Sequence, residues 1–468
     1  LHDLLDKQAR REVSADEVFE ALRKRLDALE PSLNAFIYRY ASATADPGKA
    51  VLPIAIKDVL CTKDAPTTAA SRVLEGFQPG YDAEVVARLR ASDGLFLGKT
   101  NLDEFAMGSS TENSAYGPSR NPWALDRVPG GSSGGSAVAV AAGIVPVALG
   151  TDTGGSVRLP AAYCGVLGLR PTYGAVSRWG LIAFASSLDT VGVFARCVED
   201  LALVFRIIAG HDAKDSTSHP YLPPSVETLR YKNGKFRIGL VKELTYTDET
   251  EPEVIQNVSD TVEVLAQMGC EIAELSLPLC DYALDSYYVV APAEASANLA
   301  RYDGIVYGPR VDGETAREVI ERTRSALFGA EVKRRILLGT FALRAEYYQA
   351  YYAQAMNLRR ALAAEMVSAF SQVDLLLSPT SSCLPFKLGE RTESPLKMYL
   401  TDIGTIPAAL AGLPALSFPT GFAELDGNRI PLGMQVMAPA FQEERLLRFA
   451  YDFQEHTGLK NLIAPVGE

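Results

Sequence analysis

The sequence predicts an α/β fold built as one large domain, and three observations carry that expectation. Strand and helix patterns alternate along the chain, and strand–helix–strand order is clearest between Phe236 and Leu275. Nothing in the 468 residues has the composition of a linker between independent units, and no motif repeats at a fixed period. Apolar residues make up 47% of the chain, enough to fill a large core.

Taken in order, Ser14-Ala-Asp-Glu17 reads as a capping box, and Val18, Leu22, Leu26 and Leu29 follow on one helical face. A helical N-terminal segment is therefore expected over about residues 1–45. From Leu52 to Val59 an apolar run reads as a strand interrupted by Lys57 and Asp58. Glu84 to Asp93 reads as a helix closed by Gly94, and Leu95-Phe-Leu97 as a strand. The uncharged stretch from Gly130 to Thr151 is broken by Pro146, and its apolar part is too short for a membrane span. A buried helix leading into a buried strand is the better reading.

In the second half, Phe236, Ile238 and Leu240 alternate as in a strand. Pro252 sits near the start of a helix bearing Val254, Val258, Val262 and Leu265; Gly269 ends it, and Cys270 to Leu275 resumes as strand. Thr340 to Phe370 reads as one long helical stretch, and Asp374 to Leu377 as a strand stopped by Pro379.

Charge and cysteine usage exclude several function classes. A net charge of −12 argues against this chain being the main holder of a nucleic acid, whose phosphates need clustered Lys and Arg. The six cysteines (61, 164, 197, 270, 280 and 383) form no CxxC pair and have no histidine cluster beside them. They read as thiols in a reducing cytosol, with no zinc site or disulfide framework expected. The first residues read as charged helix without a basic-then-apolar leader, so a cytoplasmic location is expected.

Three stretches carry chemistry: Pro53-Ile-Ala-Ile-Lys57-Asp58, Pro129-Gly-Gly-Ser132-Ser-Gly-Gly-Ser-Ala137, and Thr151-Asp-Thr-Gly-Gly-Ser156-Val-Arg158-Leu-Pro160. A Gly/Ser run is commonly a flexible linker, but this one leads directly into Ala137-Val-Ala-Val140, which must be buried. It lacks the Gly-Lys-Ser/Thr of a P-loop and the GxGxxG dinucleotide fingerprint. What remains is a loop whose backbone N–H groups can face a bound group.

The chain has four histidines, at 2, 211, 219 and 456, none near these motifs in sequence. A serine nucleophile without histidine needs another proton acceptor, and Ser–Lys pairs are one solution. Lysine serves only when neutral, and burial among apolar neighbours such as Ile54 and Ile56 favours that form. A lone lysine in a strand is more commonly a strand end or a snorkelling side chain, so on these residues alone both readings stand. Asp152 and Arg158 flank Ser156 and read more readily as a structural ion pair than as functional support of the loop.

The full motifs GGSSGGS and DTGGS, with Lys57, Ser132 and Ser156 at this spacing, resemble the amidase signature family from about Leu52 onward. The resemblance implies a mixed central β-sheet covered by helices on both faces, in a single domain over residues 1–468. Its signature core would span about 50–210, and the remainder would complete the sheet and a substrate pocket. It implies that Ser156 is the nucleophile, that Ser132 is a bridging serine on a cis peptide, and that Lys57 is the ultimate base. It further implies that the backbone N–H groups around Thr153, Gly154 and Gly155 stabilise the oxyanion.

Within the family, Glu104 to Asn113, Glu294 to Gly304, Glu331 to Arg335, and Met398 to Asp402 leading to Pro414 resemble the glutaminase (A) subunits of tRNA-dependent amidotransferases. Glutamine is a zwitterion, so its pocket needs a cation for the α-carboxylate and an anion for the α-ammonium. The resemblance places Arg335 and Asp402 in those roles, with Tyr287 shaping the pocket. It implies an acyl-Ser156 intermediate, with ammonia released to convert Glu-tRNA(Gln), Asp-tRNA(Asn) or both. The implied partners are a B subunit that holds tRNA and uses ATP and magnesium, and a small C subunit; no cofactor or metal is expected in this chain.

The family usually has Asn where Val59 stands and commonly Gln where Leu159 stands, which leaves pocket polarity open. Two competing expectations remain: a stand-alone amidase of small or apolar amides, which would lack the zwitterion clamp, and a catalytically silent scaffold.

Overall fold

The computed structural model of the chain describes residues 1–42, 50–229 and 235–467. Among them, eleven strands form a single sheet. In chain order they are β1 (Phe36–Arg39), β2 (Leu52–Lys57), β3 (Gly94–Thr100), β4 (Val147–Asp152), β5 (Leu167–Arg170) and β6 (Thr190–Ala195). Next come β7 (Arg237–Val241), β8 (Glu271–Leu275), β9 (Leu375–Pro379), β10 (Ala415–Leu425) and β11 (Asn428–Met437). Their spatial order is β1-β3-β2-β4-β6-β5-β10-β11-β9-β7-β8. Strand β2 runs parallel to both β3 and β4, and β7 runs parallel to both β8 and β9; the other pairs are antiparallel. The sheet is therefore mixed, as the family resemblance implies.

Side-chain alternation shows that both faces are covered. Ile54 and Ile56 of β2, Phe96 of β3 and Val147 and Leu149 of β4 pack in one core with the helices Glu84–Ala91 and Val198–Ile208. Ala55, Leu95, Leu97 and Ala148, one residue out of phase on the same strands, pack in a second core with the helices Ala15–Leu33 and Gly134–Ala141. Because β2, β3 and β4 are buried on both sides, they read as continuous apolar runs in the sequence.

The capping box is formed: Ser14 Oγ accepts from the Glu17 N–H, and the Ser14 N–H donates to Glu17 Oε2. The helix it opens ends at Leu33, however, and Phe36–Arg39 is a strand paired with β3, so the N-terminal segment is not helical to residue 45. Asn34 stops the helix in a left-handed conformation, with its amide donating to the carbonyls of Tyr116 and Gly117. Glu30 then accepts from the Ala35 and Phe36 N–H groups and turns the chain into β1. Residues 43–49 lie outside the described ones.

The expected helical stretch Thr340–Phe370 is also two helices, Ala330–Ala342 and Tyr352–Ala369. Both pack on the helix Ala283–Asn298, so the chain must turn between them. The tyrosines in between stack outside either helix, with the Phe341 and Tyr347 rings 4.3 Å apart. Strand β9 runs through Pro379, which pairs opposite Met434 beyond the reach of the β7 ladder and so needs no N–H there. No helix among the described residues is long and apolar enough to cross a membrane.

The consequence for the site is topological. Lys57 is the last residue of β2 and Asp152 the last of its parallel neighbour β4, so both chain ends open at the same edge of the sheet. The helix Gly134–Ala141 precedes β4 and the helix Arg158–Cys164 follows the turn after it.

Candidate active site

Lys57 is fully buried, and its ammonium position is surrounded by hydroxyls rather than carboxylates. Nζ lies 2.8 Å from Ser132 Oγ, 2.8 Å from Ser133 Oγ and 2.9 Å from Thr151 Oγ1. Burial pulls its pKa down to about 7, although the carboxylates of Asp103, Asp152 and Asp189 favour the charged form. Two of these opposing carboxyls are themselves pushed up by burial to about 6, Asp103 and Asp189.

The glycine-rich loop supplies the hydroxyls. The Gly131–Ser132 peptide is cis. Glycine is required here by space: a Cβ on Gly131 would lie 2.2 Å from Asp103 Oδ2, and one on Gly134 would lie 2.1 Å from Thr111 Oγ1. Ser133 ties this loop to both strand and turn, since its N–H donates to the Ser156 carbonyl (3.1 Å) and its hydroxyl donates to the Thr151 carbonyl (3.1 Å). Ser132 has no exposed surface, whereas Ser156 retains 7%.

Among the described residues, the N–H groups of Thr153, Gly154, Gly155 and Ser156 donate to no other protein group. The turn is held by its other atoms instead. Thr153 Oγ1 donates to Asp189 (2.7 Å), and the Gly155 carbonyl accepts from the Leu159 N–H (2.8 Å). The Gly154 carbonyl accepts from Arg158. Asp152 receives both Arg158 and Arg170 at 3.0 Å, all three residues fully buried. Burial alone would raise the Asp152 carboxyl; the two guanidinium groups outweigh it and hold it well below the usual range. The Asp152–Arg158 ion pair read from the sequence is thus present, with Arg170 as an additional partner.

Arg335 and Asp402 are both buried in the same region. Arg335 Nε donates to Glu331 Oε1 (2.8 Å), and its guanidinium lies 5.3–5.5 Å from the ring centres of Tyr288, Tyr399 and Phe184. Asp402 accepts from Ser109 Oγ at 2.5 Å and from the Tyr288 hydroxyl at 3.5 Å. Burial pushes the Asp402 carboxyl up to about 7, while Ser109 and the Arg335 charge pull the other way. Tyr287 lies against the turn, where a Cβ on Gly154 would lie 2.8 Å from its ring and hydroxyl, and it is also close enough to feel the charges of Arg335 and Asp402. Its neighbour Tyr288 sets its ring against Arg335 and its hydroxyl toward Asp402.

Sequence reasoning therefore missed Tyr288, Ser109, Glu331 and Tyr399 as individual residues. The last three lie inside segments it singled out, but which member of a segment points inward is decided by tertiary packing. The two departures from the family pattern sit in apolar surroundings. Val59 belongs to the main core, and Leu159 packs with Val128, Tyr163, Phe386 and Met398. His211 contacts Ser218 and His219 stacks on Phe441, outside this constellation. No group of three or more His, Cys, Asp or Glu among the described residues is arranged to hold a metal.

Chemically, the arrangement offers a buried amine pulled toward neutrality, a serine hydroxyl 2.8 Å from it, a second serine on the adjoining turn, and N–H groups on that turn without a protein acceptor among the described residues. The Amidase family profile matches residues 17–447. Two relatives are named as the A subunit of glutamyl-tRNA(Gln) amidotransferase. The one from Heliobacterium modesticaldum is 49% identical over 485 residues, covering 100% of this chain and 98% of its own. The one from Roseiflexus castenholzii is 50% identical over 464 residues, covering 96% and 94%. A solved structure of the same name from Thermotoga maritima superposes with a TM-score of 0.81 at 39% identity, covering 97% of this chain and 94% of that one.

Proposed function

The chain belongs to the amidase family, and from that premise we propose that it is the glutamine-hydrolysing subunit of a tRNA-dependent amidotransferase. Residues 1–468 act as one unit on this reading, which the single continuous sheet supports. Near-full-length identity of about half to relatives of that name supports the assignment. The observation that carries the chemistry is the hydroxyl cage around Lys57.

A neutral amine has two N–H donors and one lone pair. The Ser133 hydroxyl proton is committed to the Thr151 carbonyl, so Ser133 Oγ accepts from Lys57. Thr151 Oγ1 takes the second N–H. The lone pair is left for the Ser132 hydroxyl, 2.8 Å away. Lys57 thus draws the Ser132 proton, Ser132 Oγ takes the proton of Ser156, and Ser156 Oγ attacks the side-chain amide carbon.

The N–H groups of Thr153, Gly154 and Gly155 receive the oxyanion, and as donors already fixed by the turn they need no reorganisation when the charge develops. Returning through Ser132, the proton goes to the amide nitrogen. Ammonia leaves, and water hydrolyses the glutamyl ester on Ser156 by the same relay in reverse. Arg335 binds the α-carboxylate of glutamine and Asp402 its α-ammonium, while Tyr287 packs on the oxyanion turn.

The ammonia is passed to a B subunit that holds the mischarged tRNA and uses ATP with magnesium, and a small C subunit completes the complex, in the cytoplasm. The chain's charge of −12 accords with tRNA contacts lying mainly on a partner.

Ammonia release from glutamine, measured for the chain alone and with its partner subunits, ATP and Glu-tRNA, tests this reading. Strong stimulation by the full set supports it. Efficient unassisted cleavage of apolar amides, with glutamine ignored, would replace it with a stand-alone amidase. Full glutamine-dependent transamidation after Ser156→Ala would replace it with a silent scaffold.

A further inference from the structure

Arg335 has five N–H donors, and among the described residues the one that finds an acceptor is Nε–H, on Glu331. Among the described residues, Nη1 and Nη2 have no hydrogen-bond partner, although Arg335 is only 2% exposed. A guanidinium bound through Nε presents its two terminal groups side by side, the geometry that takes a carboxylate in bidentate fashion. The residue that imposes this orientation is Glu331, one helical turn earlier on the same face of the helix Ala330–Ala342.

Glu331 is itself fixed from three sides. Its Oε1 accepts from Arg335 Nε and from the Tyr399 hydroxyl at 2.9 Å, and its Oε2 accepts from Arg334. Tyr399 stacks on Tyr288 with ring centres 3.9 Å apart, and the Tyr288 hydroxyl reaches Asp402. Tyr399 also lies three residues before Asp402, so one carboxylate joins the helix that carries the cation to the segment that carries the anion.

We infer that Glu331, through Tyr399, is the positioning residue that sets both the orientation of Arg335 and its separation from Asp402, and so determines selectivity for an α-amino acid amide. The inference rests on the glutaminase reading above. Glu331 does not touch the substrate on this account. Its carboxylate occupies Nε, where it leaves the terminal groups to the substrate, and it balances the charge of Arg335 in the empty site. A buried guanidinium released from that anchor can adopt other rotamers, and only a fraction of molecules then offers the bidentate face.

The test is steady-state ammonia release from glutamine by the chain in complex with its partners. Glu331→Ala is expected to raise KM roughly 10- to 100-fold, as loss of a charge-assisted hydrogen bond does, with kcat changed by no more than about threefold. Glu331→Gln keeps an acceptor for Nε and is expected to recover a large part of the loss. Tyr399→Phe is expected to raise KM in the same direction by less.

A merely structural role would lower the active fraction, and with it kcat, while leaving KM alone. That result, an unchanged KM for Glu331→Ala, or a Glu331→Gln variant no better than alanine would overturn the inference. An unsubstituted complex that releases no ammonia from glutamine would overturn the glutaminase premise instead, and the unsubstituted control separates the two.

Discussion

Lys57 Nζ lies 2.8 Å from Ser132 Oγ, and neither residue has any solvent-exposed surface. A proton that passes between them cannot be exchanged with bulk water on the way. In the relay proposed above, the two act as one unit with Ser156, which retains 7% exposure.

Substitutions in that unit should not add. Ser156→Ala, Ser132→Ala and Lys57→Ala are each expected to lower kcat by roughly 10²- to 10⁴-fold, and the triple variant by about as much as the worst single one. Glutaminase kinetics on the single and combined variants check this. Losses that multiply would mean the three residues act separately.

The pH profile should separate two groups that titrate near neutrality. Lys57 loses its proton as pH rises through about 7, so kcat should climb over that range and level off above it. Asp402 gains its charge through about 7 as well, and with the binding role proposed for it above KM for glutamine should fall as pH rises. Ser109 lowers the Asp402 pKa by donating to it, so Ser109→Ala should move the KM limb to higher pH and leave the kcat limb in place.

The same depression of Lys57 links to stability. Between about 7 and the ordinary lysine value of 10.5, the unfolded chain binds a proton that the folded chain does not. Stability from this residue therefore rises with pH across that window. Lys57→Met should remove that slope, measured by denaturant unfolding at several pH values.

Gly155 cannot carry a side chain. A Cβ there would lie 2.1 Å from Thr405 Oγ1, so Gly155→Ala must displace the turn that bears the unpaired N–H groups. The expected loss in kcat is about 10²- to 10³-fold, as for removal of one oxyanion donor, with a stability cost of about 1–3 kcal/mol. Kinetics alongside thermal unfolding would show both; normal kcat would mean the turn tolerates displacement.

Asp152, Arg158 and Arg170 form a buried cluster beside the turn that carries Ser156. Arg158→Ala is expected to cost about 3–5 kcal/mol, because it strips a buried carboxylate of one of its two partners. The Asp152 carboxyl is held below its ordinary value of 3.8, so its contribution is fully present above about pH 3.8 and is lost as pH falls toward the folded-state value. Chemical denaturation of the variant at neutral pH reads the cost directly.

How much of this was legible in the sequence differs by residue. Strands β2, β7 and β8 and the helix Pro252–Gln267 follow local patterns of alternation and capping, and the structure has them close to the expected bounds. Strand β1 was not legible, because four residues after a strong helix signal carry too little pattern. The break between Ala342 and Tyr352 was not legible either. Helix formers run through it, and the turn is imposed by packing of both flanking helices on Ala283–Asn298.

At the site, the serine-rich motifs are contiguous in sequence and so could be singled out. The anchoring of Arg335 by Glu331 and the pairing of Asp402 with Ser109 depend on contacts that local pattern does not encode; Ser109 and Asp402 are 293 residues apart. Tyr287 and Tyr288 are neighbours on one helix, and that Tyr288 reaches Asp402 while Tyr287 lies against Gly154 is a distinction that only the packing makes.

The most direct measurement is acid quench of the enzyme during glutamine turnover, followed by peptide mass analysis. A glutamyl adduct is expected on the peptide containing Ser156, absent in Ser156→Ala and strongly reduced in Lys57→Ala. An adduct on Ser132 or on a cysteine, or undiminished glutamine hydrolysis after Ser156→Ala, would contradict it.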